Sequence, residues 1–180
     1  YDFRYPYDFV GWKENAKLTI GYRLITKTGT IMYDGEVGVS GTGPFKIAPA
    51  IYEGPFVNNI TDQQATIWFH TTLPVKCSVE VNGKVFSEPD AGTKHSFNIT
   101  SLKSGKKHPY KVIYGDFSQQ YHFTTAPKPG DKKPFVFGYC SDSRSATGGG
   151  ERNIFGANVY VMKKIGALAQ QQNAAFLQFT

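Results

Sequence analysis

Cysteine is scarce in this chain. Two occur among 180 residues, Cys77 and Cys140. At most one disulfide can form, so no disulfide framework substitutes for a hydrophobic core. No Cys/His spacing matches a zinc cluster. No apolar run approaches the ~18 residues that a bilayer-spanning helix needs, and no membrane span is expected. The chain opens on Tyr1-Asp2-Phe3-Arg4, with neither a methionine nor a secretory leader pattern. It reads as a mature or internal piece of a protein. The phosphate-loop pattern GxxxxGK[ST] is also missing, which removes the commonest nucleotide-binding reading. Acidic residues are few, 14 against 20 Lys and Arg, for a formal charge of +6. The lysines gather in turns and connectors, as at Lys103, Lys106, Lys107, Lys128, Lys132 and Lys133. No basic helix or aromatic-interleaved motif accompanies them, so no nucleic acid partner is expected.

What the chain has in plenty is aromatic residues and glycine, with 14 Phe, 11 Tyr and 19 Gly. With 40% hydrophobic residues, this composition predicts a folded, mainly β protein. Two sequons, Asn59-Ile60-Thr61 and Asn98-Ile99-Thr100, go with a secreted, periplasmic or cell-surface location.

Four segments follow from the pattern. Residues 1–50 form a β-rich segment, either the end of a preceding β-domain or an extra sheet. Strands are predicted at 17–25 and 30–33, with turns at Lys27-Thr28-Gly29 and at Asp34-Gly35. Residues 51–126 carry seven short strand patterns, at 51–57, 65–71, 77–81, 84–86, 95–100, 109–114 and 119–124. Turn residues recur every 8–12 positions or so, the spacing of a β-sandwich. Ala65, Ile67 and Phe69 alternate with Thr66, Trp68 and His70, and Tyr110, Val112 and Tyr114 share a face. Residues 127–134, rich in proline and lysine, form a linker. Over residues 135–180 the period changes. Phe135–Tyr139 is a continuous apolar run, as in a strand covered on both faces. Asn153 is the expected N-cap of a helix whose apolar positions run from Ile154 to Ala169, and Asn173 is its expected stop. A second apolar run follows, so the order is strand, helix, strand, a βαβ unit.

Three residues of this last segment could carry chemistry. Asp142 follows the first strand closely, where ligands of α/β sheets bind. Its carboxylate suits a metal ion or general-base work, or caps a turn. Arg144, two positions on, offers a planar fork for phosphate, or pairs with Asp142 at the surface. Asn158 falls on the apolar stripe of the predicted helix, where a buried amide needs partners. It serves either a helix-to-loop hydrogen bond or a ligand.

The constellation Phe137-Gly138-Tyr139-Cys140-Ser141-Asp142-Ser143-Arg144, Gly148-Gly149-Gly150, Gly156-Ala157-Asn158 and Ala174–Thr180 resembles the start of a calcineurin-like metallophosphoesterase. Residues 51–126, with Trp68 and the run Ser101-Leu102 to Pro109-Tyr110, resemble a fibronectin type III domain. The two together are similar to the purple acid phosphatase arrangement. The resemblance implies a mainly β fold, an immunoglobulin or fibronectin III-like sandwich, followed by the first βαβ unit of an α/β catalytic domain. It implies a phosphate ester substrate and two divalent or mixed-valence metal ions, Fe, Zn or Mn. Asp142 takes the place of the first metal ligand, and the ligand role open to Asn158 on its own spacing is then substrate binding. Where the family has Asp-x-His or Asp-x-Gly, this chain has Asp142-Ser143-Arg144. Arginine stays protonated and is no ordinary metal ligand. Arg144 is therefore expected to act catalytically, on the substrate phosphate. The remaining ligands are expected in the remainder of the catalytic domain beyond Thr180, so residues 1–180 alone should be inactive. The other reading is a non-catalytic, β-rich secreted or cell-surface interaction or assembly module.

Overall fold

The structure, a computed structural model, describes residues 11–29, 31–141, 153–154 and 157–180. For 31–34, 153–154, 157–163 and 179 the backbone alone is described. The described chain is mainly β-sheet, arranged as several antiparallel sheets consistent with a β-sandwich.

A short helix, α1 (Trp12–Asn15), leads into β1 (Lys17–Ile25). β1 pairs antiparallel with β2 (Ile31–Ser40), and β2 with β3 (Lys46–Ala48). The expected turn at Asp34-Gly35 does not occur. Asp34 pairs with Arg23 and Gly35 with Tyr22, in mid-ladder. The ladder with β1 satisfies these backbone groups and overrides the local turn preference. Gly38 lies opposite Ala48, and a Cβ there would meet the Pro49 carbonyl oxygen at 2.5 Å. Only glycine lets the two strands approach so closely.

Directly paired residues share a face. One face of this sheet carries Leu18, Ile20 and Leu24, with Val37, Val39 and Ile47. The other carries Lys17, Thr19 and Glu36. The apolar face is the outward one: Leu24 is 55% and Ile47 72% exposed. The polar face is turned toward the sandwich described next.

The sandwich has a three-stranded sheet in the order β4 (Ile51–Asn58), β5 (Ala65–Val75), β8 (Gly92–Ile99). Facing it is a four-stranded sheet of β6 (Cys77–Val81), β7 (Lys84–Ser87), β9 (Lys107–Tyr114) and β10 (Phe117–Thr124), in the order β10-β9-β6-β7. The expected alternation places Ala65, Ile67 and Phe69 of β5 inward against Val79, Val81, Phe97, Ile99, Tyr110, Val112 and Tyr114. Each large side chain so buried contributes roughly 1.5–3 kcal/mol. The β6–β7 hairpin turns on Asn82-Gly83, both at positive φ, as a two-residue turn between right-twisted strands requires. Lys17 reaches this body from β1. Its Nζ donates to the Asp116 carbonyl oxygen and sits 5.8 Å above the Phe117 ring.

Beyond the sandwich, β11 (Gly138–Cys140) pairs in parallel with β14 (Leu177–Phe179). Between them in the chain come β12 (Asn153–Ile154), β13 (Ala157–Asn158) and α2 (Val159–Gln171). α2 starts later than expected. Asn153 pairs with Asn158 and Ile154 with Ala157 in a small antiparallel ribbon, so Asn153 is not the N-cap. Asn158 accordingly belongs to a strand just before the helix, not to the helix's apolar stripe. The expected stop is where it was read. Asn173 has φ 51°, its N–H donates to Gln170 O, and the Ala174 N–H donates to Ala169 O. These two bonds close a Schellman motif. The run 135–139 yields a strand only from Gly138. Phe135, Val136, Phe137 and Tyr139 are half or more exposed, so a two-face cover is not present among the described residues.

Candidate functional site

The β11–β14 pair positions the residues singled out from the sequence. Gly138 lies opposite Leu177, Tyr139 opposite Gln178 and Cys140 opposite Phe179. The Ala175 N–H donates to Val136 O at 2.8 Å, and the Thr180 N–H to Cys140 O at 3.1 Å. A Cβ on Gly138 would run into the end of the Leu177 side chain, which would have to shift to admit it. Both strands point their carboxyl ends the same way, and the chain leaves β11 toward Asp142. Asp142 and Arg144 themselves lie outside the described residues, as does the Gly148-Gly149-Gly150 loop. Of Asn158 the backbone is described, in β13. The three predicted site residues are therefore not brought together in the described part.

A different cluster lies inside the sandwich, and sequence reasoning missed it. His95 of β8 has its side chain at 0% exposure. Its Nδ1 faces Glu88 Oε2 at 2.6 Å, and its Nε2 faces Thr71 Oγ1 at 3.0 Å and Cys77 Sγ at 3.5 Å. The ring stacks on Phe69, with centroids 4.9 Å apart. The other oxygen of Glu88 accepts the Ser96 N–H. One signal was available. His95, Phe97 and Ile99 share the inward register of β8, and an imidazole among core residues must find partners.

The cluster has the residue types of a nucleophilic or metal site but not the properties. Burial pushes the Cys77 thiol up to about 12, and the Glu88 charge adds to the rise. A nucleophilic cysteine needs the opposite shift. Cys77, Glu88 and His95 offer ligand atoms within 4.8 Å of one another. However, Glu88 stands on the Nδ1 side of the imidazole and Cys77 on the Nε2 side. An ion bound to one ring nitrogen would not reach both. No buried side-chain N or O among the described residues lacks a partner, so the network is satisfied without an ion. Its role is to join β5, β6 and β8 across the two sheets.

The outer face of the β4-β5-β8 sheet carries a second polar pair. His70 Nδ1 lies 2.7 Å from Glu53 Oε2, beside Trp68, whose ring meets that of Phe56 at a tilt with centroids 4.7 Å apart. Trp68 is thus an outward residue of β5. No helix among the described residues is long and apolar enough to cross a membrane.

Comparison with known proteins adds a partial likeness to one class, the purple acid phosphatases. The particular relative is Purple acid phosphatase 1 of Ipomoea batatas, 40% identical over 48 residues. The match takes in 27% of this chain and 10% of that protein, so the chain corresponds to about a tenth of its relative's length. No family model matches the chain. Among solved structures, the sensor domain of the anti-sigma factor RsgI4 from Pseudobacteroides cellulosolvens is similar over 44% of this chain and 94% of its own, with 21% identity and a TM-score of 0.34. At that score the likeness carries no argument about fold or function.

Proposed function

We propose that the chain carries the N-terminal portion of a phosphoric ester hydrolase with a dinuclear metal centre. In this reading residues 51–126 are a fibronectin III-like sandwich, 127–134 a linker, and 135–180 the start of the catalytic domain. β11, α2 and β14 are its first βαβ unit. The observation that carries the reading is the parallel pairing of β11 with β14. Ligands of such sheets bind beyond the carboxyl ends of the strands, and Asp142 follows Cys140, the last residue of β11, by two positions. The local likeness to a purple acid phosphatase supports the same reading. So does the sandwich, with Leu102 and Tyr110 both buried as the resemblance implies.

Asp142 is the proposed ligand of the first metal and Arg144 the proposed holder of the substrate phosphate. Asn158, next to α2, is the proposed substrate contact. The Cys77–Glu88–His95 cluster does not fit the dinuclear group, because its ligand types and opposed ring nitrogens suit no pair of ions. The other ligands would come from beyond Thr180. Two bound ions, Fe, Zn or Mn, would supply an activated water and offset charge on the phosphate. The exposed Asn59 and Asn98 of the two sequons are consistent with a secreted, periplasmic or cell-surface place.

The test uses the full-length protein with added Fe, Zn or Mn and p-nitrophenyl phosphate as substrate. Hydrolysis is expected, and Asp142→Asn is expected to lower it by at least about a hundredfold with loss of bound metal. Full activity in Asp142→Asn would sink the assignment. Activity in residues 1–180 alone would sink the claim that further ligands are required. A second reading, a non-catalytic assembly module, is favoured by the outward apolar face of β1-β2-β3. It expects no bound metal, and a partner lost on Leu24→Lys.

A further inference from the structure

Residues of the sandwich and of the β11–β14 pair line a cleft of about 530 Å³. Clefts of this size hold small molecules. One wall comes from the sandwich, with Val57 at the end of β4 and Ile60 just after it. Both are packed against the buried core, so this wall is anchored from behind. The β11–β14 pair contributes Phe135 and Phe176, ring centroids 6.2 Å apart, with Phe137 stacked on Phe176 at 5.3 Å. Phe135 is 58% and Phe176 45% exposed. The lining is mostly apolar, with Asn58, Asn59, Thr124, Thr125 and Gln178 as its uncharged polar groups, and exposed aromatic surface in such a cleft suits an apolar body.

The charge of the lining is one-sided. Among the described residues that line the cleft, Lys133 is the one with a charge, and none is a carboxylate. Its Nζ leans over the turn at Gly105, 3.9 Å from where a Cβ of that residue would sit. An ammonium at the rim of an apolar cleft orients a ligand with a single negative charge. Phe135 precedes β11 and Phe176 precedes β14, while Gln178 of β14 also lines the cleft.

We propose that this cleft binds a small aromatic anion, its ring between Phe135/Phe176 and Val57/Ile60 and its acid group on Lys133. The probe is 8-anilinonaphthalene-1-sulfonate, an aromatic body with one sulfonate, titrated against the whole protein by fluorescence. A single saturable, blue-shifted phase is expected. Lys133→Glu and Phe135→Ser, both at exposed positions, are each expected to weaken it by about tenfold or more. Ile47→Ser, on the outward face of β1-β2-β3, is expected to leave it unchanged. The uncharged N-phenyl-1-naphthylamine is expected to bind more weakly and to be indifferent to Lys133→Glu. The proposal is overturned if binding does not saturate. It is also overturned if both cleft variants bind like the parent, or if Ile47→Ser is the variant that abolishes the signal. Circular dichroism of each variant separates loss of the cleft from loss of the fold.

Discussion

Glu88 holds one carboxylate oxygen 2.6 Å from Nδ1 of His95, whose side chain is fully shielded while Glu88 itself stays 22% exposed. One end of the pair is thus at the surface and the other in the core. Removing Glu88 takes away the carboxylate that faces Nδ1 of the shielded imidazole. Glu88→Ala is expected to cost about 2 kcal/mol, the penalty for a stranded buried polar group. In a His95→Phe background, where the ring can stack on Phe69 without needing a partner, the same change should cost much less. Urea midpoints of the four proteins measure the difference. Equal losses in both backgrounds would show that Glu88 does not act through His95.

The two thiols should behave differently. Cys77 is buried, and its thiol is pushed from 9.0 up to about 12. Cys140 is half-buried, with its Sγ directed at the Gln178 carbonyl oxygen at 3.7 Å. A disulfide reagent at neutral pH is expected to modify Cys140 alone in the native protein, since the thiolate is the reacting form. Both should react in urea. Native labelling of Cys77, located by peptide mapping, would contradict the buried network.

Stability should fall on the alkaline side. Burial raises the Cys77 thiol and the Tyr110, Tyr114 and Tyr121 hydroxyls, and neighbouring negative charge adds to each rise, opposed at Tyr114 by its hydrogen bond with Gln119. A raised folded-state value means that the unfolded chain releases the proton first. The stabilising contribution is then complete below pH 9, where the unfolded thiol still holds its proton, and is lost as pH climbs toward 12. Melting temperature measured from pH 8 to pH 11 should drop, and tyrosinate absorbance should appear in step with unfolding. A flat profile would mean these groups are solvated in the fold.

Gly138→Ala should loosen the β11–β14 pair and little else. The added methyl meets the Leu177 side chain, which is 40% exposed and can swing partly aside. The expected cost is about 1 kcal/mol. Amide exchange should quicken at residues 138 and 180, whose N–H groups close this pair, and stay unchanged at Val112 in the sandwich core. Gly21→Ala, with open space around it, is the control.

The sandwich was legible because alternation survives in almost every strand. Ile67, Phe69, Val79, Val112 and Tyr114 are inward, as a period of two requires, and turn residues such as Asn82-Gly83 mark the breaks. Where the reading failed, long-range pairing had overruled a local signal. Asp34-Gly35 looks like a turn until β1 supplies partners for it. Asn153 and Asn158 suit a cap and a helix face until they pair with each other. The His95 network was out of reach for another reason: Thr71, Cys77, Glu88 and His95 come from several strands and share no spacing rule. Asp142 and Arg144 fall outside the described residues, so their reading as a site still rests on the sequence.

The parallel β11–β14 pair also sets an order of assembly. Every neighbouring pair in the four-stranded sheet except β6–β9 is a hairpin, closed by a short local turn. Gly138–Cys140 must instead wait for Leu177–Phe179 and close the whole intervening stretch, an entropic cost that grows with loop length. On a ribosome the sandwich strands emerge complete while β11 still has no partner. Phe135 and Phe137 then face the cytosol or the export machinery uncovered by Phe176. That interval is when a nascent chain of this kind is open to a chaperone or to aggregation.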